Sequence, residues 1–178
     1  TLANGCIASY SPDGRQLVFA SRCDGSGDIL IMDRNGANRR QLTDDPAGDA
    51  NPAWSRDGQL ILFESDRSGN AELYSLELAT GAIARLTTDP GHDGAAAWQP
   101  GIDPGPAAST ELPATSIAPA GDQIAFESTR DGNSEIYVLS ADGGDPTNLT
   151  QNPATDWLSA WSPVLRDCPS IRTSSRSR

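Results

Sequence analysis

The sequence predicts an all-β chain built from repeated four-stranded antiparallel blades. Three observations carry this reading. Tyr10, Trp54 and Trp98 lie 44 residues apart, each closing a small polar loop. Phe19 and Phe63 keep the same interval, and in every unit a Phe precedes a Trp by 35 residues: Phe19 to Trp54, Phe63 to Trp98, Phe126 to Trp161. The residues between these aromatics read as short strands divided by turn chemistry, with no stretch of helical periodicity. A period in the low forties with strands in each unit is the mark of a β-propeller.

The units align as YSPDGRQLVFAS, WSRDGQLILFES and IAPAGDQIAFES at their starts. The first strand is brief and ends at the aromatic, at 8–11 and 52–55. Asp13-Gly14 and Asp57-Gly58 then form tight hairpin turns, because Gly tolerates positive φ and Asp can bond its own backbone. The second strand, at 16–21, 60–65 and 123–128, is almost wholly apolar in its middle. Such a run suits a strand covered on both faces by stacked neighbours. A second hairpin follows at Asp24-Gly25, Ser68-Gly69 and Asp131-Gly132. The third strand lies at 28–33, 72–78 and 135–140, and the fourth ends in Leu-Thr at 42–43, 86–87 and 149–150.

The third copy is displaced. Phe126 follows Phe63 by 63 residues, an excess of 19 that falls in PGIDPGPAASTELPAT, a stretch poor in apolar residues. The expected blades are about 6–44, 50–88 and 114–151, with an insertion at about 99–115. Together they make one propeller region, 1–165. Trp161-Ser162-Pro163 opens the first strand of a fourth blade, so the propeller is partial. Residues 166–178, rich in Arg and Ser, read as a disordered tail.

The pattern WSPDG-x-x-I-x-F-x-S-x-R-x-G-x-x-x-I-Y, a Gly turn and then Leu-Thr resembles the propeller repeat of TolB-like proteins, relatives of the WD repeat. The match runs over roughly 6–163 and recurs three times. The resemblance implies a β-propeller, usually six-bladed and made by one chain. Repeats of this kind build periplasmic TolB, accessory domains of peptidases and lyases, and many envelope or secreted proteins, so fold alone does not fix function.

Three blades raise a packing question. End blades of an open stack need caps or partners. The expectation is that the first and third blades each expose an apolar face, bearing Leu17, Phe19, Ile124 and Phe126, larger than a monomer tolerates. Either a homodimer closes the ring, or the chain, which opens on Thr1 without Met, is a piece of a longer propeller.

Charge narrows the partners. The formal net charge is −11, and all 13 basic residues are Arg. Residues 1–165 hold 9 Arg against 23 acidic residues, while the tail is positive. So acidic a body repels phosphate backbones, which disfavours nucleic acid, and none is expected as a partner. No apolar run approaches the length of a membrane span.

The chain has three cysteines. Cys23 stands where the other units carry Arg67 and Arg130, and Cys6 lies ahead of the first strand of the same blade. In a propeller those two loops emerge on one face, so a Cys6–Cys23 disulfide is geometrically reasonable, with two ordinary thiols as the alternative. A disulfide fits an oxidising compartment, the periplasm or the extracellular space, which the family resemblance also implies. Cys168 is left over, free or paired between chains.

Catalytic residues are sparse. His92, the single histidine, is flanked by Asp89 and Asp93, yet no G-x-S-x-G accompanies it, and the matching loop positions are Gly48 and Thr155. His92 therefore reads as loop variation. Asp49, Asp93 and Asp156 each stand five residues before a Trp, and a carboxylate there can lock the loop between blades or face a partner. Alternate oxygens at Asp24, Ser26 and Asp28, and at Asp131, Asn133 and Glu135, offer weak calcium candidates, although the rest of an EF-hand pattern is missing. A polar hairpin explains them equally, with Arg67–Glu72 and Arg130–Glu135 as cross-hairpin ion pairs. Asn148-Leu149-Thr150 is a glycosylation sequon that coincides with the recurring strand end. The sequence implies no cofactor. The function expected is a non-catalytic propeller scaffold for a protein or peptide partner, envelope-associated or secreted. The alternative is an accessory propeller of a peptidase or polysaccharide lyase.

Overall fold

The computed structural model describes residues 8–22, 27–99, 123–151 and 153–157, and among them alternation of apolar residues with turn-forming Gly and Asp produces twelve strands. β1 (Ala8–Tyr10), β2 (Gln16–Ala20), β3 (Ile29–Asp33) and β4 (Arg40–Gln41) form the first sheet in sequence order. β5 (Asp49–Trp54), β6 (Leu60–Ser65), β7 (Glu72–Glu77) and β8 (Ile83–Arg85) form the second. β9 (Asp93–Trp98), β10 (Gln123–Ser128), β11 (Glu135–Ser140) and β12 (Thr147–Asn148) form the third. Every neighbouring pair is antiparallel, and the three meanders are three blades of a β-propeller.

The third blade corrects the expected span of 114–151. Its innermost strand is β9, which lies ahead of the inserted segment, so the insertion interrupts the blade between its first and second strands. Most of the expected insertion, and the expected tail, Cys6, Cys23, Asp24, Ser26, Cys168 and Trp161-Ser162-Pro163, lie outside the described residues.

The core sits between blades. Along β6, Ile61 and Phe63 turn toward the first blade and join Val18, Ala20, Ile29 and Ile31. Leu62, on the opposite face, joins Leu73, Ile124, Phe126, Tyr137 and Leu139 toward the third blade. That two-sided burial is why β6 reads Leu-Ile-Leu-Phe without a polar break. Burying a side chain such as Phe63 contributes about 1.5–3 kcal/mol.

The expected exposed faces are corrected here. Ile124 and Phe126 are fully buried, because the Phe of each later blade faces the preceding blade and not outward. Leu17 and Phe19 do point away from the second blade, yet they are 9% and 4% exposed, and the guanidinium of Arg39 lies 5.4 Å from the Phe19 ring centre. Among the described strands, none of the first blade touches one of the third.

Two fine features recur. At one end, Ser11 Oγ donates to Asp13 Oδ1 at 2.7 Å and accepts from Gln16 N, and Gly14 takes φ +68°. Ser55, Asp57, Leu60 and Gly58 repeat that turn in the second blade. In the innermost strands, Asn51 and Ala95 adopt φ near +50° (51° and 49°), each beside a register shift that bulges the strand.

Candidate functional site

Strand direction gathers the β2–β3 type hairpins and the loops between blades at one end of the molecule, while the β1–β2 type turns mark the other. The candidate residues of the sequence lie at the first of these ends. Beneath its loops runs a buried polar row. Asp49 faces Ser65, which faces Glu72, across β5, β6 and β7. Asp93, Ser128 and Glu135 repeat the row across β9, β10 and β11. All six side chains are buried.

A buried carboxylate needs partners, and an arginine supplies them. Arg67 N–H groups reach Asp49 Oδ1 and Oδ2 at 2.9 and 3.0 Å, and its Nε donates to Ser65 Oγ at 3.0 Å. The guanidinium also lies 5.5 Å from the Phe63 ring centre and 5.0 Å from that of Tyr74. Arg130 repeats this socket over Phe126 and Tyr137, with Ser128 at 2.8 Å and Asp93 at 2.7 Å. It also pairs with Asp89 at 2.6 Å, so two carboxylates share one cation. Burial is the leading cause holding the Asp93 carboxyl above its ordinary pKa, opposed by Ser128 and Arg130.

The expected Arg67–Glu72 and Arg130–Glu135 pairs are therefore corrected. Each arginine lies along aromatic rings that aim it back toward the innermost strand. Glu72 instead accepts from Arg85 at 2.8 Å, from Asn70 at 3.0 Å and from the Thr87 hydroxyl. Thr87 Oγ1 in turn accepts from Leu73 N, as Thr43 does from Ile29 N and Thr150 from Ile136 N. The recurring Leu-Thr is thus a side-chain substitute for the next strand carbonyl. Sequence reading missed Ser65, Ser128 and Glu72 as parts of this frame, although F-E-S-x-R in both later blades was the available signal.

Junctions between blades are latched by main chain. Asp49 N donates to Gly27 O, Asp93 N to Ala71 O and Asp156 N to Ser134 O, at 2.7, 2.9 and 2.8 Å. Asn70 reaches the carbonyls of Asp89 and Gly91, and Asn133 reaches that of Ala154. Glu64 seals the second junction, accepting from Asn51 at 2.8 Å and Ala95 N at 2.6 Å. Burial is the main cause raising its pKa.

The calcium candidates bind donors. Asn133 donates to Glu135 at 2.7 Å, and Thr150 donates to the other Glu135 oxygen. Asp131 accepts from Tyr137 Oη and from Asn148 at 3.1 Å. The Tyr137 hydroxyl is pushed up to about 12, first by burial and then by Asp131. Asn148 of the sequon is committed to this cluster, and Asp28 is half-buried with its N–H donating to Ser21 Oγ. Among the described residues no three His, Cys, Asp or Glu side chains converge as metal ligands. His92 is exposed, and its main chain exchanges hydrogen bonds with Thr129. Asp49 and Asp93 are too deeply buried to touch a partner, while Asp156 is half-buried.

Meandering four-stranded sheets stacked through such sockets define a β-propeller repeat protein. The family model for the TolB beta propeller domain matches residues 3–104, and the chain belongs to that family. It is similar to the Tol-Pal system protein TolB of Anaeromyxobacter dehalogenans, with 42% identity over 45 residues covering 25% of this chain and 10% of that one. Among solved structures, the putative TolB from Agrobacterium tumefaciens shares 21% identity at a TM-score of 0.63, over 83% of this chain and 50% of that chain. A puromycin hydrolase gives 0.60 and 21% identity, over 85% of this chain and 22% of that chain. These structural likenesses concern the fold. Among the described residues no helix is long and apolar enough to cross a membrane.

Proposed function

We propose that the chain is a non-catalytic propeller scaffold that binds a protein or peptide partner in the bacterial periplasm. The observation that carries this reading is the division of labour at the loop end. Buried Asp–Arg sockets fix the loop bases, whereas His92, Thr129 and Trp157 stand exposed above them. A rigid base lowers the ordering cost of presenting such loops to a partner. Likeness to TolB, a Tol-Pal system protein, supports an envelope setting.

The test is capture from periplasmic extract by the immobilised chain, compared with a His92→Ala/Thr129→Ala variant of unchanged melting temperature. Specific capture lost in the variant supports the reading. Capture that survives the substitutions, or none above background, rejects it. A second reading, an accessory propeller of a peptidase, draws on the likeness to puromycin hydrolase. It predicts association with a hydrolytic domain and no independent partner.

A further inference from the structure

The outer hairpin of the first blade departs from the repeat in its charge. Residues 33–41 hold Arg34, Arg39 and Arg40 against Asp33, a net of +2. The matching hairpin of the second blade, 77–85, holds Glu77 and Arg85, and that of the third, 140–148, holds Asp142 and Asp145. At the positions of the three arginines the second blade has Leu78, Ile83 and Ala84, and the third has Ala141, Pro146 and Thr147. The blade itself therefore asks for no cation at these places.

The structure gathers these cations and leaves them open. All three arginines are exposed. Arg34 N donates to Arg15 O at 2.8 Å, which brings a fourth arginine alongside, 83% exposed and 3.7 Å from the open carboxylate of Asp13. The guanidinium of Arg39 lies 5.4 Å from the Phe19 ring centre, on one face of the sheet. Arg40 follows it opposite Ile31, so the two point to opposite sides of β4, the outer edge strand. Elsewhere the arginines are spent on the frame: Arg67, Arg85 and Arg130 each pair with a buried carboxylate. Among the described residues Arg34, Arg39 and Arg40 form no ion pair, and Asp33 accepts instead from Asn38 at 2.7 Å.

We propose that this hairpin is a docking surface for an acidic peptide segment of a partner protein, laid along the outer edge of β4. Guanidinium forks match carboxylates, and an edge strand accepts an extended chain. A flat anionic membrane suits the surface less well. Residues 45–165 hold 4 Arg against 18 acidic residues, so a membrane would also meet the acidic blades, whereas a narrow peptide meets the first blade alone. Arg15 and Arg34 stand at the end opposite the candidate loops. This contact is therefore separate from the scaffold reading above and does not depend on it.

The probe is a fluorescein-labelled hexaglutamate peptide, titrated into the full chain and followed by fluorescence anisotropy, with a Gly-Ser peptide of equal length as control. Saturable binding of the acidic peptide alone is expected, and added salt weakens it. The combined variant Arg34→Gln/Arg39→Gln/Arg40→Gln should lose about tenfold in affinity, since each exposed pair contributes a few-fold at most. Arg56→Gln, in the second blade, removes one charge elsewhere and should leave binding unchanged. Circular dichroism confirms that each variant remains folded. No saturable binding overturns the proposal. So does binding that survives the triple substitution, which would place the peptide elsewhere, the Arg-rich segment 166–178 included. Phosphatidylglycerol vesicles and inorganic phosphate are titrated in parallel. Tighter binding of either, lost in the same triple variant, would make the hairpin a site for phosphate groups and reject the acidic peptide.

Discussion

Arg67 and Asp49 are 18 positions apart and form a two-pronged ion pair, with contacts of 2.9 and 3.0 Å, at the base of the second blade. Asp49 is fully buried, while Arg67 keeps 19% of its side chain exposed. Removing the cation strands a buried carboxylate. Arg67→Ala is expected to cost about 3 kcal/mol, at the lower end for a buried pair because Arg67 retains some solvent. Arg67→Lys should recover only part of this, since an ammonium cannot bond Asp49 and Ser65 from two nitrogens of one plane as Nη2 and Nε do. Urea unfolding of the three proteins checks the order wild type, then Lys, then Ala.

Thr87 tests the substitute strand end. Its hydroxyl accepts from Leu73 N and donates to Glu72, both buried. Thr87→Val keeps the shape and leaves both groups short of a partner. The expected loss is about 2 kcal/mol. Thr87→Ser, which keeps the hydroxyl, should lie close to wild type. Matching m-values in denaturant titrations would show that the folded state alone changed.

Phe126 tests the corrected orientation of the third blade. It is fully buried against the second blade, so Phe126→Ala should cost about 3–5 kcal/mol. An outward-facing Phe would cost far less, and thermal melting distinguishes the two.

Glu64 gives a dependence on pH. Burial raises its carboxyl above the usual value, which means that the folded chain holds this proton more firmly than the unfolded one. Ionisation therefore penalises the fold above the raised value. The penalty fades as pH falls through that value and is gone below the ordinary carboxylate range. Asp93 runs in the same direction. Glu64→Gln, which mimics the protonated acid, should melt higher than wild type near pH 7, and the gap should close on acidification. Melting curves from pH 7 to pH 4 check both the sign and the window. A gap that widens on acidification would reverse the assignment.

The aromatic period made the blade number and the second and third strands legible, because two-sided burial leaves an unbroken apolar run such as 60–63. The Asp-Gly turns were equally plain. The first strand of the third blade was harder to place. Trp98 marked its end, but a long insertion separates it from the strand it pairs with. The arginine partners were hidden for another reason. Glu72 is five residues from Arg67 in sequence, yet aromatic stacking turns the guanidinium toward Asp49. Which face of an alternating strand looks inward also depends on the preceding blade, so Ile124 and Phe126 were misplaced.

The scaffold account separates a locked base from loops that meet a partner. Hydrogen–deuterium exchange on the full chain, with and without the protein it captures, tests that separation most directly. The account predicts new protection in 66–70, 88–92 and 129–134, with the opposite turns at 12–15 and 55–59 unchanged. Protection confined to those opposite turns, or none at the loop end, would contradict it.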